Sequence, residues 1–253
     1  MPEPKPITSQ LGWSTADRIV VRGRSLPDEI LGHMSLGAFA FFELTGRDPD
    51  EAEGALFDAV VITLVEHGLT PSALVARLTY LGAPESRQGA VAAGLTGLGT
   101  VFAGTAEEAA RMLDEALEAR EPGRPLEEVA RDVIAARSGE IIAGLGHPVH
   151  RRVDPRAVRL FELAELHGRA GDYVRLMQLI GAEAERTIGK MLPVNATGAI
   201  GAICCELGFP WRTVRGIAVM ARAIGLVAHV GEEIENPIAF ELWRRADEES
   251  RPE

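Results

Sequence analysis

Cysteine is nearly absent from this chain of 253 residues, and its only two cysteines, Cys204 and Cys205, are adjacent within an apolar run. Neighbouring thiols suit neither a disulfide framework nor a tetrahedral zinc site, so both are expected to be buried, reduced core residues. Long apolar runs are missing too. The stretches 55–65 and 216–230 are interrupted by Asp58 and Arg222, short of the ~20 apolar residues a membrane span needs. Residues 1–10 hold three prolines and no apolar core, so they read as a disordered lead-in rather than a secretory signal, and the expected location is the cytoplasm. Positive charge is in deficit: 26 Lys and Arg against 37 Asp and Glu leave a formal net charge of −11. Such a field repels phosphate backbones and excludes nucleic acid as an expected partner; an anionic ligand needs a place where local arginines overrule the net charge. No internal repeat or low-complexity tract is visible.

Alternating β-branched runs are short, with 14–23 the one candidate extended segment, whereas apolar residues recur at helical spacing through almost the whole chain. The fold class is therefore all-α. The expected helices are 27–44, 49–67, 71–79, 87–102, 106–120, 126–138, 155–167, 172–189, 197–207, 210–229 and 234–245. Pro27, Pro49, Pro71, Pro125, Pro155 and Pro210 suit first turns, Asp48, Thr70 and Asp154 precede three of them as N-caps, and Gly46, Gly139, Gly189 and Gly208 suit C-terminal caps. Composition turns more charged near residue 105 and leads into the glycine-rich stretch 139–146. A smaller lobe, 105–190, is expected as an insertion into a larger helical domain made of 1–104 and 191–253.

The stretch Ala143-Gly-Leu-Gly-His147-Pro-Val-His150-Arg-Arg-Val-Asp154-Pro-Arg156 is the richest in chemistry. Gly144 and Gly146 let backbone approach a ligand, and His147 is presented from a loop stiffened by Pro148. Arg156 falls in the first turn of the helix that Asp154 caps, a place from which a guanidinium can grip a carboxylate in bidentate fashion. The alternative is a surface turn with a solvated basic cluster. Arg222 is a lone charge in an apolar run, and burying it calls for an anion, either a ligand or a protein carboxylate. His67, at a helix end, suits a ligand contact or simple stabilisation by the helix dipole. His147 and His150 are three apart, but with no third ligand near them a metal is not expected. Gly94, Gly97 and Gly99 do not follow a strand, which argues against a dinucleotide fingerprint.

Gly-Leu-Gly-His147 followed by Asp154-Pro-Arg156 resembles the citrate synthase signature Gly-x-Gly-His-x(6)-Asp-Pro-Arg at the same spacing. Val65-Glu-His67-Gly is similar to the Asp-His-Gly segment of citryl-CoA lyase modules, and Met220-Ala-Arg222-Ala-Ile-Gly-Leu-Val-Ala-His229 to the family's Ala-Arg-x-x-Gly-x-x-x-His helix. Leu192-Pro-Val-Asn195-Ala-Thr197-Gly198 resembles its Leu-Asn-Val-Asp-Gly motif. The resemblance spans about 13–235 and is strongest to compact, lyase-type members. It implies a citrate-synthase-like fold and a carboxylate-bearing substrate held by Arg156, Arg222 and Asn195. His147, His67 and Thr197 would occupy the catalytic positions and Gly144 and Gly146 a place beside a coenzyme A thioester, which is substrate or product, with no permanently bound cofactor. It also implies a homodimer, for which 38–44 and 200–207 are candidate contacts. His229 reads as structural, capping its own helix.

Two positions depart from the synthase pattern. Phe102 stands where synthases carry a histidine, as it does in citryl-CoA lyase modules, and Thr197 replaces an aspartate that exchanges a proton with the thioester α-carbon. A threonine hydroxyl cannot shuttle a proton at neutral pH without a neighbouring base, so Thr197 would have to hold a water, or Glu107, Glu66 or Glu232 would have to substitute. The expected activity is cleavage or formation of a citryl-CoA-type thioester. The alternatives are a catalytically silent binding or regulatory protein that keeps the carboxylate grip, and a helical scaffold with no small-molecule site.

Overall fold

The structure, a computed structural model, describes residues 7–137, 139–146 and 152–251. It separates into two compact units, 1–58 and 59–253.

In the first unit, β1 (Gly12–Ser14), β2 (Ile19–Val21) and β3 (Arg24–Ser25) form an antiparallel sheet in the order β1-β2-β3. The extended segment expected at 14–23 is thus a meander. Val21 pairs with Arg24, and the two residues between them, Arg22 and Gly23, have φ of 49° and 84°, the backbone signs a two-residue hairpin needs to match strand twist. The helix expected over 27–44 is broken. A single turn at Leu26–Ile30 ends before Gly32, whose φ is 80°, and α1 (Leu36–Thr45) restarts where the Ser35 hydroxyl accepts from the N–H of Ala38. Helix α2 (Glu51–Val65) is capped by Asp50, not Asp48: Asp50 accepts from the Glu53 N–H at 2.8 Å while Glu53 accepts from the Asp50 N–H at 3.0 Å, a reciprocal box. Asp48 instead pairs with Arg24 at 2.7 Å. Phe41 and Phe57 meet edge to face at 5.6 Å in the core of this unit.

The second unit takes in the end of α2 and the helices α3 (Pro71–Gly82), α4 (Arg87–Thr96), α5 (Gly104–Glu118), α6 (Leu126–Ala136), α7 (Pro155–Leu166), α8 (Asp172–Ile188), α9 (Ala196–Glu206), α10 (Trp211–Glu235) and α11 (Ala239–Glu249). Helix α9 is apolar on nearly every side, and eight of its residues from Gly198 to Cys205 are buried, as a central helix must be. It packs against α5, α7, α8 and α10, while α3 and α4 form a hairpin against α10 and α11 covers α3. Cys204 and Cys205 are buried on α9, and burial pushes the Cys204 thiol up to about 12 and Cys205 higher still.

Two helix boundaries moved for identifiable reasons. Helix α4 ends at Thr96 and is followed by a separate turn at Gly99–Ala103, opened by Gly99 at φ 51°. Helix α10 runs past His229 to Glu235 and stops at Asn236, whose φ of −133° and ψ of 76° have left the helical region ahead of Pro237, a region disfavoured for the residue before proline. By length and composition α10 could cross a membrane, but half of that window is buried within the fold. It also carries buried Arg222, His229 and Glu233, bonded to other segments.

The ends of α7 and α9 are held together by one carboxylate. Asp154, 1% exposed, accepts from the N–H of Arg156 at 3.0 Å, from the Arg156 guanidinium at 3.0 and 2.8 Å, and from the N–H of Ala196 at 2.9 Å. Burial raises its pKa, but the guanidinium and the two N–H groups outweigh burial and leave it lowered to about 2. The adjoining segment 144–146 lies against the α9 N-terminus. Gly144 has φ 85°, and a Cβ there would stand 2.6 Å from the Gly198 Cα.

Because the folded pKa of Asp154 lies below its unfolded value, its contribution is complete above pH ~4 and is lost as pH falls toward ~2, amounting to about 2 kcal/mol. Asp154→Asn is expected to lower stability by about 3 kcal/mol, since it leaves Arg156 and a buried N–H underserved; urea unfolding at pH 7 and pH 3 measures this, and the gap between wild type and variant should narrow at pH 3. Gly144→Ala should cost about 3 kcal/mol from left-handed strain plus overpacking, against about 1 kcal/mol for Gly123→Ala, where φ is also positive, 81°, but the space is open. Equal losses in the two variants would show that the contact with Gly198 contributes nothing.

Candidate functional site

A cavity of about 560 Å³ in the second unit is lined by residues from six separated stretches: the end of α2 with the turn to α3, the 98–105 turn, the 141–146 segment, the first turn of α7, the start of α9, and α10. Its lining includes His67, Gly144, Gly146, Arg156, Asn195, Thr197 and Arg222. Every expected site residue within the described part of the chain therefore reaches one cavity. His147 lies outside the described residues, as do His150 and the side chain of Phe102.

Arg222 is 4% exposed and projects from α10 into the break between α2 and α3. Its Nε donates to Ser72 Oγ at 3.0 Å, Nη2 to Thr70 Oγ1 at 2.8 Å, and Nη1 to the Val65 carbonyl at 2.9 Å and to Glu66 at 3.2 Å. Thr70 was expected to cap α3, but its hydroxyl makes no cap bond and accepts from the guanidinium instead. Thr70 and Ser72 both line the cavity and were missed as site residues. The available signal was a pair of hydroxyls flanking a proline just after a helix end.

Arg156, about one-quarter exposed, turns its Nε and Nη2 onto Asp154 and presents the remainder of the guanidinium to the cavity. The bidentate grip expected of it is made to a protein carboxylate, and this fixes the plane of the group. The two guanidiniums thus enter the cavity already balanced by Asp154 and Glu66.

The 144–146 segment and residues 193–195 run side by side. The N–H of Asn195 donates to the Gly144 carbonyl at 2.9 Å, the N–H of Gly146 to the Pro193 carbonyl at 2.8 Å, and Asn195 Nδ2 to the Gly146 carbonyl at 2.6 Å. These polar groups of Gly144 and Gly146 are spent on holding the loop. Asn195 also caps α9, its Oδ1 accepting from the N–H groups of Thr197 and Gly198 and, at 2.7 Å, from the Thr197 hydroxyl. The Thr197 proton is therefore engaged, while its oxygen keeps accepting capacity toward the cavity.

None of the three glutamates considered as substitutes for the missing aspartate is among the cavity-lining residues described. Glu107 pairs with Arg215 at 2.9 Å, Glu232 with Arg77, and Glu66 with Arg222 and His229. For Glu66, burial works against ionisation, but the Gly68 N–H and nearby cationic charge hold the carboxyl below the usual range. His229 caps nothing: it sits inside α10, bonded to Glu66 on one side and Arg77 on the other. What the described lining offers is one imidazole, two fixed guanidiniums, several hydroxyls and an apolar wall that includes Leu64, Leu98, Ile142 and Ile200. That combination can hold an anionic head group and bury an uncharged body.

The family model described as "Citrate synthase, C-terminal domain" matches residues 20–245. The citrate synthase of Haloferax volcanii is 30% identical over 212 residues, 83% of this chain and 54% of that protein. The one from Heyndrickxia coagulans is 29% identical over 217 residues, 85% and 56% of the respective lengths. The chain spans about half the length of these curated relatives. Among solved structures, citryl-CoA lyase from Hydrogenobacter thermophilus superimposes with a TM-score of 0.84 at 29% identity, covering 98% of this chain and 92% of that one. An ATP citrate lyase from Methanothrix soehngenii, solved with citrate and coenzyme A, shares the fold at a TM-score of 0.76 and 20% identity, over 93% of this chain and 40% of that one. With a family match over most of its length and an all-α fold shared with these structures, the chain belongs to the citrate synthase family.

Proposed function

We propose that this protein is a carbon–carbon lyase of the citryl-CoA lyase type, cleaving or forming a thioester that joins an acetyl-CoA unit to oxaloacetate or a related 2-oxo acid. The observation that carries the reading is the convergence of His67, Arg156, Asn195, Thr197 and Arg222, from distant parts of the sequence, on one cavity. The likeness to the Hydrogenobacter thermophilus citryl-CoA lyase over nearly the full length of both chains supports it.

In this reading Arg156 and Arg222 bind the carboxylates of the substrate, their orientation set beforehand by Asp154 and by Glu66, Thr70 and Ser72. Such preorganisation avoids reorientation at the moment of reaction. His147, assigned by its motif, takes the proton of the tertiary hydroxyl. The bond between the carbinol carbon and the thioester α-carbon then breaks; its electron pair passes to the thioester enolate as the 2-oxo acid carbonyl forms. The enolate takes its proton from a water resting on the Thr197 oxygen, the hydroxide left behind recovers a proton from the His147 imidazolium, and His67 is the imidazole facing the same space. The apolar wall accommodates the uncharged part of the thioester. A cytoplasmic homodimer belongs with this reading by resemblance.

The second reading, a silent ligand-binding or regulatory protein, is favoured by one observation: the Thr197 proton is already donated to Asn195, and no carboxylate appears in the described lining. Turnover separates the two. Incubated with citryl-CoA, the protein is expected to consume thioester and release oxaloacetate. Substituting His67→Ala should lower kcat by about 10²-fold, and Arg156→Lys, which keeps charge but loses the planar fork, should raise KM about 10-fold. Binding of citrate and coenzyme A by calorimetry with no turnover, together with activity gained by Thr197→Asp, would establish the silent reading. Absence of both binding and turnover would leave only a helical scaffold.

A further inference from the structure

Behind the cavity, a line of polar groups leads away from Arg222, buried at His229, Arg77 and Glu233 and half-exposed at Glu66. Arg222 and His229 lie seven positions apart on α10, two helical turns that bring both to one face. Glu66 lies between them: it accepts from Arg222 Nη1 at 3.2 Å, and its two carboxylate oxygens stand 3.0 and 3.2 Å from His229 Nε2. On the other edge of the imidazole, Nδ1 faces Arg77 of α3, with Nε at 3.2 Å and Nη2 at 3.0 Å. Arg77 is 1% exposed and is held in turn by Glu233, at 2.8 Å, and by Glu232. Glu233 also receives the N–H groups of Ile238 and Ala239 at the start of α11, at 2.9 and 2.8 Å.

The chemistry of this line leaves one arrangement of protons. A guanidinium N–H only donates, so Nδ1 of His229 must present its lone pair to Arg77, and the ring proton sits on Nε2, directed at Glu66. His229 is 8% exposed and is not among the residues lining the cavity. Among its described hydrogen bonds, the link to a lining residue runs through Glu66 to Arg222.

We infer that His229 is a positioning residue for the carboxylate-binding arginine: locked by Arg77 as the neutral Nε2–H tautomer, it orients Glu66, and Glu66 holds the Nη1 arm of Arg222 and so sets the plane in which the guanidinium meets the cavity. The inference rests on the reading that Arg222 binds a substrate carboxylate. It makes a relay of groups that touch no ligand responsible for the affinity of one that does. Burial of Arg77, Arg222 and His229 strengthens the links at their end, because hydrogen bonds to charged groups gain most where water is excluded, and the half-exposed Glu66 carboxylate joins them by answering both donors. His229→Leu removes both links. His229→Gln keeps a carbonyl to accept from Arg77 and an amide N–H to donate to Glu66.

The test combines two readouts on the full-length protein. Nitrogen-15 NMR of the histidine rings, with His229 assigned by its loss in His229→Gln, should show the Nε2–H tautomer at neutral pH; an Nδ1–H tautomer or a charged ring would overturn the inference. Calorimetric titration with citrate and with oxaloacetate should show His229→Leu weakened by about 10-fold or more and His229→Gln within about 3-fold of wild type, with the same split in KM while kcat changes little. Should His229→Leu not fold, a Kd for His229→Gln as weak as that of an Arg222→Lys variant would overturn the relay, and one near wild type would support it. Wild-type binding of these acids that is unaffected by His229→Leu overturns the inference alone. A wild type that binds neither acid overturns the site reading on which it rests.

Discussion

A carboxylate with almost no access to water organises the centre of this molecule. Asp154 accepts from two backbone N–H groups that open different helices and from both arms of a guanidinium. The desolvation of such a group is tolerated only when its lone pairs are all answered, so the starts of α7 and α9 have little freedom to part. Everything assigned to the cavity on that side follows from this constraint: the plane of Arg156, the position of Asn195 at the α9 cap, and the pairing of residues 193–195 with the 144–146 segment.

Charge in the cavity is arranged rather than accumulated. The protein as a whole is acidic, yet the two arginines among the described lining residues are each tied to one protein carboxylate. A bound anion would share these guanidiniums with Asp154 and Glu66, using the N–H groups that remain directed inward. Such a site discriminates by geometry more than by net attraction, because guanidiniums tied down by fixed partners, Arg156 along one edge and Arg222 at all three nitrogens, offer their remaining donors in a single orientation. Thr197 fits the same pattern, with its proton given to Asn195 and only its oxygen left for a ligand or water.

Much of this was legible in the residues. Apolar spacing identified the helical fold, and Asp154-Pro-Arg156 announced a capped first turn that the structure contains. Arg222, a lone charge in an apolar run, called for an anionic partner and has one in Glu66. What escaped was the choice among competing partners. Thr70 had the right place to cap α3, but the guanidinium of Arg222 arrives from a helix far along the chain and takes the hydroxyl. His229 looked like a helix terminus because its continuation to Glu235 depends on bonds that Glu233 makes to α3 and α11. The single helix expected over 27–44 failed on a local feature, the left-handed Gly32, whose effect periodicity cannot register. Contacts between remote segments decide such cases, and one-dimensional spacing does not contain them.

The two cysteines sit deep in α9 with their thiols shifted far toward the protonated form. Thiolate, not thiol, reacts with alkylating reagents and oxidants. The folded protein is therefore chemically silent toward thiol probes without any residue being removed, and a cysteine introduced at the cavity rim, at exposed Val101 or Ile141, would be its sole point of attachment for a spectroscopic label.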